Sequence, residues 1–129
     1  MENKSNNPFV MVAAFVMAVT FAVHLFVGGP ELYTPLRSSD LSPLEKSSFS
    51  VIWHFVSVHL CMSAVALFYL ARHRNPAFFA FTLASVSSFA LLFFGYGLVD
   101  LGSVWLMPQW IAFVVVGTLM GLSLFRAHS

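Results

Sequence analysis

The chain is predicted to be an all-α integral membrane protein, an antiparallel up-down four-helix bundle forming one domain over residues 1–129. Three observations carry that expectation. Of the residues, 59% are hydrophobic and only 9% charged, against about 25% charged in a soluble domain. A protein of this size has nowhere to hide so much apolar surface, so a bilayer is its natural solvent. The apolar residues also fall into four runs, about 9–28, 43–72, 76–97 and 104–126, each close to the ~20 residues that cross ~30 Å of hydrocarbon. Finally, the stretches between the runs hold the Gly, Pro, Asn and Ser residues that stop and start helices.

The first run is broken only by Thr20 and His24. Gly28-Gly29-Pro30 is read as its stop, because a glycine pair followed by proline ends helical periodicity. Lys4 ahead of an apolar run also fits a leader peptide. No small-x-small cleavage site follows, so a retained first helix is expected. Residues 30–42, PELYTPLRSSDLS, then form the longest polar connection.

The second run opens on a strong start signal. Ser42 caps, Pro43 takes the first helical position, and Glu45 reaches back from the third. Within it Ser47, Ser50, His54, Ser57, Cys61 and Ala64 recur every three or four residues. They define one small, weakly polar helix face, the face expected to meet the other helices. Thirty residues exceed the membrane thickness, so Glu45, Lys46, Ser47 and Ser48 should stand among headgroups, with Trp53 near the interface.

Arg72-His73-Arg74-Asn75 is a tight turn that sets the third helix antiparallel to the second. That helix starts at Pro76, carries Ala77, Ala80, Ala84 and Ser88 at close-packing spacing, and ends at Gly95-Tyr96-Gly97. The fourth, about 104–126, has Pro108 in its first turns, Trp105 and Trp110 near an interface, and the helix-contact spacing Gly117-x-x-x-Gly121. An even number of spans leaves both termini on one side, with Lys4, Arg72, Arg74 and Arg126. Positive residues favour the cytoplasm, so a bacterial inner membrane with both termini inside is expected.

The candidate chemistry lies at the opposite, outer end. Counted along the helices, His24 and His54 fall at similar heights, and Tyr96 and Gln109 reach the same layer with Asp100 just above it. Ionisable side chains within a membrane span are expensive and by default mark a site. Imidazole suits zinc, copper and iron. His24 and His54 are therefore candidate ligands for a transition metal, completed by Asp100, Glu31 or Cys61, or for haem b, with Tyr96 and Gln109 nearby. His59 lies five residues beyond His54 and points about 140° away from it. It is thus a weaker metal candidate, with Ser63 as a ready hydrogen-bond partner. His73 and His128 sit beside arginines and are read as solvated. The methionines are scattered in height and make no copper track.

Other classes are disfavoured. A net charge of +1 leaves no basic excess for nucleic acid. One cysteine, Cys61, allows no intramolecular disulfide and no cysteine-pair zinc site. No nucleophile elbow, phosphate loop, paired carboxylate or HExxH occurs. The leading functional expectation is a metal- or haem-binding membrane protein that handles electrons or metal. The alternative is a non-catalytic structural or accessory subunit whose histidines hydrogen-bond helices together, within a homo-oligomer or a larger membrane complex, with Gly117/Gly121 or the alanine stripe as contacts. An enzyme acting on a lipid or quinone headgroup through Tyr96 and Asp100 comes third.

Overall fold

The computed structural model describes residues 6–126, which are helical with no β-strand among them. Helix α1 runs over Pro8–Ser38, α2 over Pro43–Arg72, α3 over Pro76–Val99 and α4 over Trp110–Arg126. The first three are long and apolar enough to cross a membrane. The fourth has 17 residues, which at 1.5 Å per residue reach about 25 Å.

The starts of these helices follow the sequence signals. Asn7 caps α1, Ser42 caps α2 and Asn75 caps α3, each followed by proline in the first turn. At Ser42 the capping box is complete. The Glu45 N–H donates to Ser42 Oγ at 3.3 Å, and the Ser42 N–H donates to Glu45 Oε2 at 2.8 Å. Two orphan donors of the first turn are thereby satisfied.

The expected stop at Gly28-Gly29-Pro30 does not occur. From His24 to Tyr33 the chain stays helical but widens into π geometry, then resumes α geometry at Thr34–Ser38. The Thr34 N–H reaches back five residues to the Gly29 carbonyl. Pro30 explains the widening. It has no N–H to give, and in an α-helix its ring would press on the carbonyl four residues earlier, that of Phe26. A wider turn relieves that clash without ending the helix. The polar connection shrinks accordingly from 30–42 to residues 39–42.

Proline does break the fourth run. Val104–Leu106 is a single 3₁₀ turn, and α4 begins only at Trp110, so the span expected from 104 starts six residues later. Met107, pushed out of helical geometry before Pro108, adopts φ −129° and ψ 68°. Trp110 Nε1 donates to the Val104 carbonyl at 3.0 Å, fastening the turn to the helix. The chain enters this turn through Gly102 at φ +65°, a conformation open to glycine at little cost. Gly102→Ala should lower unfolding stability by about 1 kcal/mol, measurable as a reduced thermal midpoint in detergent.

Helix α1 packs along both α2 and α4, and α3 packs on α4. The Asn7 N–H donates to the Ala71 carbonyl at 2.9 Å, so the start of α1 lies beside the end of α2. The buried core consists of Val10, Ala13, Ala14 and Met17 of α1, Leu60, Ala64, Leu67, Leu70 and Ala71 of α2, Val86 of α3, and Phe113, Val116 and Met120 of α4. Alanines on α1 and α2 let these two backbones approach.

Three expected contact faces are corrected. The buried seam of α2 runs through Trp53, Ser57, Leu60, Ala64, Leu67 and Ala71; it keeps Ser57 and Ala64 of the predicted stripe, but Ser47, His54 and Cys61 are exposed. Large apolar side chains win the interior over small polar ones because they bury more area per residue. On α3, Ala77, Ala80, Ala84 and Ser88 all face outward. On α4, a Cβ at Gly121 would meet nothing within 4 Å, and one at Gly117 would touch only Leu83 Cδ1 at 4.0 Å. The GxxxG spacing makes no close helix contact among the described residues.

Candidate functional site

Because α1 continues past Pro30, it carries Tyr33 and Arg37 over the opening turns of α2. Sequence reading missed both, having ended the helix before them. The overlooked signal is the spacing of His24, Gly28 and Tyr33: four residues, then one wide turn of five. Gly28 is what lets the two helices close here. A Cβ on it would lie 3.1 Å from Trp53 Cη2, so the indole lies against bare backbone. Trp53 itself is buried.

Around that indole the aromatic rings stack. His24 lies on Trp53 with centroids 4.1 Å apart and planes 21° from parallel. Tyr33 covers Trp53 at 5.6 Å, Phe49 lies 6.1 Å from it, and His54 meets the Tyr33 ring edge-on at 5.5 Å. Such pairs contribute about 0.5–1.5 kcal/mol each beyond the area they bury. His24 and His54 thus belong to one cluster, but no hydrogen bond joins them. Trp53 and Tyr33 stand as the rings they share.

The hydrogen bonds have a definite direction. Ser57 donates its only hydroxyl proton to the Trp53 carbonyl at 3.0 Å. With that proton used, Ser57 Oγ meets His24 Nε2 at 3.1 Å as an acceptor for the Nε2–H tautomer of the ring. Likewise Ser50 donates to the Lys46 carbonyl at 2.7 Å and accepts from Tyr33 Oη at 3.3 Å and from Arg37 Nη1 at 3.4 Å. With its proton committed to Ser50, Tyr33 Oη can only accept from His54 Nε2, 3.5 Å away. Both relays end on a backbone carbonyl of α2. In each relay the imidazole Nε2 is engaged by a hydroxyl oxygen of the neighbouring helix.

His59 repeats the pattern one helix further on. Its Nε2 lies 2.9 Å from Ser85 Oγ of α3, not against Ser63, and its ring stacks on Phe89 at 5.0 Å. Ser63 is instead buried in the α2 seam. All three histidines within the helices thus face a hydroxyl on a neighbouring helix.

The remaining expected members of the layer stay apart. Tyr96 is exposed and lines a separate small apolar cavity of about 180 Å³ with Phe89, Leu92, Phe93 and Met107. Asp100 and Gln109 are exposed, as is Glu31. Among the described residues no hydrogen bond connects Tyr96, Asp100 or Gln109 to His24 or His54. No group of three or more His, Cys, Asp or Glu residues comes together as a metal site among the described residues either. Cys61 is free and exposed on α2. His128 lies outside the described residues. No known protein family matches the chain, and no curated protein or solved structure matches it.

Proposed function

We propose that this chain is a small polytopic membrane protein, an antiparallel four-helix bundle, whose intramembrane histidines act as ties between helices in a non-catalytic structural or accessory subunit. The observation that carries the reading is the common pattern of the three imidazoles. His24 points Nε2 at Ser57 from α1 to α2, His54 at Tyr33 from α2 to α1, and His59 at Ser85 from α2 to α3. Interhelical polar contacts substitute for a hydrophobic drive that is absent between helices in lipid.

Burial in a bilayer is supported by the outer faces of the helices. On α2 the exposed residues Val51, Phe55, Val58, Met62 and Val65 form one continuous apolar stripe, 57–69% exposed, far more than a monomer leaves to water. The 31 residues of α1 and 30 of α2 outreach about 30 Å of hydrocarbon. The Tyr33–Arg37–Ser50 end then stands at the outer headgroups, with both termini and the Arg72–Arg74 turn on the cytoplasmic side.

A double-mutant cycle on His24 and Ser57, with metal and haem content measured on the same samples, tests the reading. His24→Ala is expected to cost about 1–2 kcal/mol, combining a bond averaging ~0.6 kcal/mol in membranes with the stack on Trp53. The coupling to Ser57→Ala should be positive, and neither variant should change bound metal. Stoichiometric metal or a haem Soret band that disappears in His24→Ala would replace this reading with the metal or haem one.

A further inference from the structure

At the end opposite the histidine cluster a cleft of about 480 Å³ opens among the start of α1, the α2–α3 turn, α3 and the end of α4. It is larger than the cavity of about 180 Å³ beside Tyr96. Its walls are mostly apolar, with Val10, Leu70, Phe79, Leu83 and Leu124, and Asn7, His73, Arg74, Asn75 and Ser123 supply its polar lining. Arg74 lines the mouth, and Arg72 lies two residues away. Both are exposed, and neither guanidinium has a hydrogen-bond or ion-pair partner among the described residues. The described acidic residues Glu31, Asp40, Glu45 and Asp100 all lie toward the other end of the helices, and Glu2 is outside the described residues.

We propose that this cleft binds an anionic phospholipid, with the phosphate on Arg74 and one acyl tail lying along α3. An amphiphile with an apolar tail and a negative head matches both surfaces at once. A basic pocket between helices on the cytoplasmic side is the kind of site that selects anionic headgroups. From Pro76 to Leu83 the cleft follows α3 for seven residues, about 10 Å of rise, enough to take in the first part of a tail. A soluble anion would use only the arginine and leave the apolar wall bare. The cleft exists because α2 and α3, though joined by a tight turn, make few contacts with each other; each packs instead on a different partner.

This inference rests on the chain lying in a bilayer, and the two claims fail separately. Protein that does not float with vesicles refutes the embedding. Native mass spectrometry of detergent-solubilised protein then tests the site, using phosphatidylglycerol, phosphatidylcholine of the same tails, and inorganic phosphate. Phosphatidylglycerol should be retained at least about fivefold better than phosphatidylcholine, the worth of one cation near a headgroup. Arg74→Gln should remove that preference. Ala80→Trp, at an exposed position on the cleft wall, should cut retention of both lipids by excluding the tail. Lys46→Gln, at the other end, should change nothing. Equal retention of the two lipids, or a preference that survives Arg74→Gln, overturns the proposal. Displacement of the lipid by inorganic phosphate at matching concentration also overturns it, in favour of a free-phosphate site.

Discussion

Trp53→Ala is expected to destabilise the protein by about 3 kcal/mol or more, the range for emptying a buried tryptophan site. The indole lies against Gly28, is stacked by His24 and Tyr33 and is flanked by the tilted ring of Phe49, so its removal opens a void and strips the ring contacts of three neighbours. A second substitution separates this packing role from a general loss of hydrophobicity. Gly28→Ala in the natural background forces its Cβ to 3.1 Å from the indole and should destabilise, despite the up to ~1 kcal/mol that alanine gains over glycine in a helix. In the Trp53→Ala background that obstruction is gone, and Gly28→Ala should stabilise. Equilibrium unfolding of the four proteins in detergent measures both signs. If Gly28→Ala has the same effect in both backgrounds, the Gly28–Trp53 contact does not set the spacing of α1 and α2.

Gly97→Val should cost on the order of 3 kcal/mol, with Gly95→Val close to neutral. Gly97 is buried at the end of α3, where the returning chain crosses it. A Cβ there would sit 3.2 Å from Val104 Cα and 3.4 Å from the Ser103 carbonyl oxygen. Those are backbone atoms, pinned by the Ser103 N–H donating to the Gly97 carbonyl at 3.0 Å, and they cannot rotate away as a side chain would. Overpacking a fixed contact costs about 1–3 kcal/mol, and valine adds two further methyl groups to the clash. Gly95, two residues earlier, has nothing within 4 Å of its Cβ position. Equal midpoints for the two variants would show that the Ser103–Val104 crossing is not held against α3.

The histidine cluster was legible in the sequence only in part. His24 and His54 do share a layer, because their heights follow from counting residues along two helices whose apolar runs, and for α2 the Ser42 cap, are plain in the sequence. Their partners were not legible. Tyr33 and Arg37 fall after a Gly-Gly-Pro run that reads as a stop, and only the widened turn carries them onto α2. For His59, sequence favours Ser63 four residues on; the structure uses Ser85, which is visible only once α3 is laid beside α2. Tyr96 and Gln109 share the height of the cluster by residue counting, but height alone does not bring side chains into contact.

Composition and hydrophobic runs determined by themselves that the chain is helical, that its helices are long and apolar, and where α2 and α3 start, since a capping serine or asparagine followed by proline acts within one turn. Tertiary packing decided which face of each helix is buried, how the proline at position 30 is absorbed while the one at 108 breaks the chain, and which hydroxyl each imidazole finds. Local signals act over four residues, whereas in chains this uniformly apolar every face can be buried. Only the fit of Trp53 against Gly28, and of α1 between α2 and α4, selects among them.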